Sequence, residues 1–328
     1  MQLNNYIAFL ALATACLAKT ILLTNDDSWA ATNIRATYYQ LKDAGHDVYL
    51  VAPVSQRSGW GGKFDVPSSP TLETDGEFAY VKAGEPSWGH EVDDDHIWYF
   101  NGTPASAVAF ALNYVFPYYF AEKGNNVTVD LVVSGPNEGT NMSPGMYTLS
   151  GTMGATYNSV YRGYPAVAFS GSNGNNSFFK DSLDLEDKLD PSTIYANLVV
   201  DFVAQLFTAQ GDNSRTLPLG VGINVNFPPV GYQNESCIAP KWVNTRLTGA
   251  YASGADLAYN ATSNSFIWQQ TSWSGLQVCY NGDCSLPSEN LIVQYTECST
   301  SVSAFSVDYD AKLSLSQEVT ALLEPLFS

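Results

Sequence analysis

Apolar and polar positions follow two rhythms along this chain. Thr20-Ile-Leu-Leu-Thr24 is a short continuous apolar run, the pattern of a strand buried on both faces, and it stops at Asn25-Asp26-Asp27-Ser28. Ala30, Ile34, Tyr38 and Leu41 then recur at spacings of four, four and three, an amphipathic helix that Gly45 ends. Residues 48–52 form a second buried run, closed by Pro53. Strand, helix and strand in this order make a β-α-β unit, which builds parallel sheet through a right-handed crossover.

The alternation continues. Strands are predicted at Ile97–Phe100, 130–133, 165–169 and Val221–Asn226. Thr103-Pro104 is an N-cap followed by Pro at the first helical position, and Val108, Leu112 and Val115 give that helix its apolar face. Further helices are predicted at Gly151–Tyr161, at 192–207 through Ile194, Leu198, Phe202 and Leu206, and near 314–323, where Ser314 and Gln317 have capping-box spacing. The fold class is therefore α/β, a doubly wound and mostly parallel sheet, in one domain over 19–328. Two excursions interrupt it. Residues 58–96 are rich in Gly, Ser, Pro and acid, and about 231–300 reads as a β-rich insertion with Trp242, Trp268 and Trp273.

Composition adds the compartment. Among 328 residues, 14 Lys+Arg face 32 Asp+Glu, a net charge of −18, which argues against nucleic acid or an anionic membrane as partner. Charged residues make up 14%, against roughly 25% in an average soluble protein. Asn, Ser, Thr, Gly and Tyr carry the polar load, as on a secreted, glycosylated surface. Residues 1–18 read as a signal peptide, with an apolar run too short to span a bilayer and small residues at its end. No second apolar stretch is expected to reach the roughly 20 residues of a membrane helix. Sequons at Asn126, Asn175, Asn234 and Asn260 fit secretion, and those at Asn101 and Asn141 should be unmodified if their segments are buried.

Removing the leader takes Cys16 with it and leaves Cys237, Cys279, Cys284 and Cys298. Four thiols in an oxidising compartment imply two disulfides with three connectivities. Asn281-Gly282 is a turn signal favouring Cys279–Cys284, with Cys237–Cys298 as the outer staple. A four-thiolate zinc site is the rival reading, but no C-x2-C pair exists.

Open α/β sheets bind ligands at the carboxyl ends of their strands. The loops there are Asn25-Asp26-Asp27-Ser28, Ser55-Gln56-Arg57-Ser58-Gly59, and Ser134-Gly135-Pro136-Asn137-Glu138-Gly139-Thr140-Asn141, which runs on into Ser150-Gly151-Thr152. They offer carboxylate, hydroxyl and amide oxygens without His or Cys, which suits Mg2+, Mn2+ or Ca2+ and argues against zinc. Ser-Gly-Thr at a helix start suits an anion. Cation beside anion is the layout of phosphoryl chemistry.

With these segments in view, the chain resembles the SurE-like phosphatase/nucleotidase family. The matching residues, in the family's order, are Ile21-Leu-Leu-Thr-Asn-Asp-Asp27, Val51-Ala-Pro53 with Arg57-Ser58-Gly59, Gly102-Thr103-Pro104, Val132-Val-Ser-Gly-x-Asn137-x-Gly139 and Ser150-Gly151-Thr152. The resemblance is clear over roughly residues 20–170 and is lost in 231–300. It implies a metal-dependent phosphomonoesterase acting on nucleoside 5′- and 3′-monophosphates and other phosphomonoesters, one divalent cation per subunit, and a dimer or larger assembly. By the same resemblance Asp26, Asp27, Ser58 and Asn137 are the metal ligands, and Gly59, Asn141, Ser150, Gly151 and Thr152 line the phosphate pocket. Secreted eukaryotic relatives are described as acid phosphatases. Ser28, Pro136, Glu138 and Ser106 depart from the family pattern, and Glu138 adds negative charge beside a site for an anion.

The expected chemistry is charge neutralisation on phosphate oxygens and a bound water acidified by the ion, with Asp26 or Asp27 accepting the proton. Ligating carboxylates must stay ionised, so an optimum at roughly pH 4.5–6.5 is expected. Other phosphatase designs lack their residues: there is no Arg-His-Gly, and no Cys has Arg six residues later. A second reading is a catalytically weakened phosphoester- or cation-binding protein. A third, a glycosidase, needs carboxylates on opposed faces of a sugar, whereas this Asp pair is adjacent. Asp93-Asp94-Asp95-His96 reads as a solvated acidic loop before a second-cation site, and the tryptophans as packing before a sugar platform.

Overall fold

Ile21, Leu22 and Leu23 of β1 (Thr20–Thr24) are fully buried. Successive side chains of a strand point to opposite faces, so Ile21 and Leu23 enter one core and Leu22 the other. That double burial marks the middle of a layered sheet. A computed structural model describes residues 18–272 and 274–327, so Cys16, Trp273 and the expected signal peptide apart from Ala18 lie outside the described residues.

From β1 the chain crosses through α1 (Thr32–Asp43) to β2 (Asp47–Pro53), then to the short β3 (Trp88–His90) and β4 (Ile97–Phe100). It then passes through α2 (Pro104–Phe110) to β5 (Leu131–Asn137), α3 (Ser143–Leu149), α4 (Gly151–Tyr161) and β6 (Ala166–Ser170). The short α5 (Phe179–Ser182) and the long α6 (Pro191–Gln210) lead to β7 (Val221–Asn226) and β8 (Lys241–Thr245). A hairpin of β9 (Ser253–Asn260) and β10 (Ser265–Ser272), then α7 (Glu289–Tyr295), β11 (Ser299–Ser306) and α8 (Leu313–Leu322), complete the described chain.

The main sheet runs β3-β4-β2-β1-β5-β6-β7-β11-β8, and β4 through β7 are mutually parallel. β3 and β11 pair antiparallel with β4 and β7. The predicted doubly wound, mostly parallel α/β fold is the observed one. From β1 the chain first adds β2 and β4 on one side, then returns to add β5, β6 and β7 on the other. The reversal lies between β1 and β5, and there the loops diverge and leave a crevice at the strands' carboxyl ends.

Residues 231–300 contribute in two ways. β8 joins the edge of the main sheet beside β11, whereas β9 and β10 form their own two-stranded sheet. Disulfides Cys237–Cys298 and Cys279–Cys284 hold the segment, the pairing that the Asn281-Gly282 turn favoured, and leave no thiol of these four for zinc.

Some expectations are corrected. The last helix starts at Leu313 with Lys312 as N-cap and no side-chain cap, so Ser314 and Gln317 lie inside its first turns and form no capping box. The helix from Pro104 continues as a π-helix over Ala111–Phe120. α6 is long and apolar enough, by length and composition, to cross a membrane, contrary to expectation. Its apolar residues serve the core instead: Tyr195, Val199 and Val203 are fully buried, and the helix packs on α1.

Candidate active site

Asp26 follows β1, and its carboxylate reaches across the crevice to the start of α4. Thr152 donates to Asp26 Oδ1 at 2.5 Å, and the Gly151 and Thr152 amides face the same carboxylate. Gly151 permits the approach, because a Cβ there would lie 2.7 Å from Asp26 Cβ. Ser150 caps α4 by accepting from Met153 N at 3.1 Å. Asp27 sits deeper and accepts from Glu138 N at 2.8 Å. Asn137, the last residue of β5, donates through Nδ2 to Gly139 O at 2.6 Å, and Thr152 Oγ1 is 3.1 Å from its Oδ1. Arg57 N donates to Asp26 O at 2.6 Å, tying the loop after β2 to the end of β1.

These loops enclose a cleft of about 470 Å3, within the range of small-ligand sites. Asp26, Ser58, Gly59, Asn137, Asn141 and Ser150 all line it. Asp27, Gly151 and Thr152 lie behind that surface, each nearly or wholly buried. The structure therefore brings the nine sequence-predicted site residues to one place, six on the wall and three supporting it.

Charge in the cleft is lopsided. Burial raises Asp26 above the usual carboxylate range, and raises Asp27 further, with Asp26 and Glu138 adding repulsion. Glu138 also lines the cleft and is pushed up to about 7, chiefly by burial. Its carboxylate oxygens are shielded from solvent, with the Ser177 amide facing them outside hydrogen-bond geometry. Among the described residues, Asp26, Asp27 and Glu138 form no ion pair. Buried carboxylates without a cation are costly. The donors are all oxygen, from carboxylate, amide and hydroxyl, which fits a hard divalent ion.

A second set of buried polar groups holds the far wall, and apart from Asn141 sequence reasoning missed it. Asn141 N donates to Asn226 Oδ1 at 2.7 Å, and its Nδ2 donates to Ser170 Oγ at 2.8 Å. Asn224 Nδ2 donates to Asn141 O at 2.9 Å and to Glu289 Oε1 at 2.8 Å. Glu289, fully buried, also accepts from Ser143 N at 3.0 Å, and burial pushes it up to about 7. Glu289 lies in the stretch read as a β-rich insertion, and nothing local in the sequence marks this role.

The departures from the family pattern separate by position. Ser28 has φ +100°, a conformation that glycine adopts without strain. Ser106 lies outside the cleft lining and completes a capping box with Thr103, accepting from Thr103 N at 2.9 Å. Glu138 alone of these three faces the cleft. The acidic loop before β4 is committed elsewhere: Asp94 accepts from Tyr38 at 2.7 Å and Lys42 at 3.0 Å, and Asp95 pairs with Lys123 at 2.7 Å. Asp94, Asp95 and His96 nonetheless bring their ligand atoms within 4.8 Å of one another, at the amino end of β4, away from the cleft. Trp242 packs against Phe202 and Phe227, as expected, whereas Trp268 lines the cleft.

Comparison with known proteins places this geometry in context. The family described as survival protein SurE matches residues 21–251. An acid phosphatase of Yarrowia lipolytica is 43% identical over 305 residues, covering 92% of this chain and 83% of that protein. A 5′-nucleotidase SurE of Desulfovibrio desulfuricans is 36% identical over 152 residues, covering 46% of this chain and 49% of that protein. The 5′-nucleotidase SurE 2 of Chlamydia caviae is 31% identical over 227 residues, covering 69% of this chain and 66% of that protein. The chain thus spans about half to two thirds of these two bacterial relatives. The crystal structure of SurE from Aquifex aeolicus matches with a TM-score of 0.59 at 21% identity, covering 92% of this chain and 99% of that one, which shows a shared fold.

Proposed function

The chain belongs to the survival protein SurE family, and from that premise we propose that it is a secreted, divalent-metal-dependent phosphomonoesterase, an acid phosphatase with nucleotidase activity. The observation that carries the reading is the burial of two adjacent carboxyl groups, Asp26 and Asp27, with no ion-pair partner among the described residues, beside Asn137 at the point where the strand order reverses. Asp26, Asp27, Ser58 and Asn137 would hold Mg2+ or Mn2+. When bound, the cation supplies Lewis acidity toward phosphate oxygens and water.

The chain's own groups do the rest. Thr152 and the α4 amides fix Asp26, and Glu138 N fixes Asp27, so neither carboxylate reorganises during turnover. Gly59, Asn141 and Ser150 face the phosphate end of the substrate across the cleft. Asp26 or Asp27 accepts the proton that attacking water must lose. The position of Glu138 favours a second reading, a weakened phosphoester- or cation-binding protein, because a negative carboxylate there opposes an anion. Hydrolysis of AMP and p-nitrophenyl phosphate, abolished by chelator and restored by Mg2+ or Mn2+, is expected from the enzyme. Cation binding without turnover supports the second reading instead.

Secretion belongs to the same proposal. Asn126 and Asn175 are exposed, and Asn141 is buried. Protein from a secreting eukaryotic host should lose mass on treatment with an N-glycosidase, and unchanged mass counts against the compartment.

A further inference from the structure

The cleft has two chemically different walls. Asp26, Ser58, Asn137, Asn141 and Ser150 make a floor of oxygen and amide groups, while Met146 and Leu149 of α3 and Trp268 of β10 make an apolar wall. Trp268 is 62% exposed and stacks on no other ring of the described residues, unlike Trp242. Its position is tied to the site. β9 and β10 are paired along their length with Trp268 opposite Leu257, and the base of β9 packs backbone to backbone on α3. Gly145 permits that contact, since a Cβ there would strike Gly254 Cα. The helix carrying Met146 and Leu149 is thus clamped to the hairpin carrying Trp268.

We propose that Trp268 is the platform on which the cleft stacks the flat base of a nucleoside monophosphate, making such esters better substrates than aliphatic phosphomonoesters. The inference rests on the phosphomonoesterase reading for the floor of the cleft and adds the alcohol half of the substrate. A phosphate held on the floor leaves the ribose to span the cleft, and the base reaches an exposed indole face. Stacking on an aromatic ring tolerates any base, because every base has a π-face. The expected specificity is for nucleotides as a class, with little discrimination among bases.

The test compares kcat/KM for AMP and for glycerol phosphate in the wild type, W268A and W268F, with AMP binding to the chelated protein followed by calorimetry. W268A should lower the AMP-to-glycerol phosphate ratio by about tenfold, ~1.4 kcal/mol, mainly through KM for AMP. W268F should retain most of the ratio, because a phenyl ring still stacks. An unchanged ratio in W268A overturns the inference. An equal loss for both substrates together with altered sedimentation also overturns it, and would assign the ring to a contact between copies of the chain. If the wild type hydrolyses neither ester yet binds AMP more tightly than W268A does, the platform stands and the hydrolase reading falls. If it neither hydrolyses nor binds AMP, both fall.

Discussion

Thr152 Oγ1 lies 2.5 Å from Asp26 Oδ1 and 3.1 Å from Asn137 Oδ1. One buried hydroxyl on the first turn of α4 thereby sets the positions of two candidate ligands, one from the end of β1 and one from the end of β5. Thr152 was expected in the phosphate pocket, and its contacts put it behind Asp26 and Asn137, where it would orient them if they hold a cation. Groups that orient metal ligands typically contribute 10–100-fold to affinity or activity. Thr152→Val keeps the shape and removes the hydroxyl. It should weaken Mn2+ binding by about tenfold or more while the fold stays intact by circular dichroism. Unaltered Mn2+ affinity would remove Thr152 from the site's machinery.

Asp27→Asn keeps the size of the side chain and its acceptor for Glu138 N but removes the charge. Loss of a candidate ligand's charge and a candidate base together should lower kcat/KM by at least ~100-fold. Asp26→Asn is expected to do the same. Steady-state kinetics at saturating Mn2+ measures both, and near-normal turnover in a folded Asp27→Asn variant contradicts the assigned role.

Where the sequence was legible follows from which signals are local. β1, β4, α4 and β7 matched in their bounds because each is a short apolar run or periodic segment with a turn signal at its end. The candidate segments were read from the strand ends, where a parallel sheet places its ligands, and the individual residues from the family resemblance. α3 was not predicted, since Ser143-Pro144-Gly145 reads as loop and its stabilisation comes from distant Glu289 and Gly254. The acidic cluster before β4 read as solvated, yet Tyr38, Lys42 and Lys123 reach it from other elements. Trp268 likewise depends on how a hairpin docks, which no spacing in the chain encodes.

Glu289 makes stability depend on pH in a defined window. Burial lifts its carboxyl from the ordinary 4.5 to about 7 in the folded chain. Between those values the folded chain holds a proton that the unfolded chain has released, so stability rises as pH falls from about 7 toward 4.5. The contribution approaches ~1.4 kcal/mol per pH unit. Urea midpoints of chelated protein across pH 5–7.5 (about one window) should show this slope, and E289Q should show a shallower one. Equal slopes in both proteins contradict the assignment.

The two disulfides should differ in worth. Cys237–Cys298 closes a separation of 61 residues and Cys279–Cys284 one of 5. Loop entropy alone assigns ~4 kcal/mol to the first and ~2 kcal/mol to the second. Replacing the first pair by Ala should lower the denaturation midpoint more than replacing the second, since Cys237 is fully buried beside the core and the shorter loop is exposed. The reverse order would contradict that account.

The most direct test of the whole reading is a titration of Mn2+ into protein first dialysed against EDTA, with AMP turnover followed in the same samples. One saturable equivalent per chain, turnover returning in proportion to occupancy, and loss of both in Asp27→Asn are the expected results. Full turnover in the presence of EDTA, or no saturable Mn2+ site in the folded wild type, would contradict it.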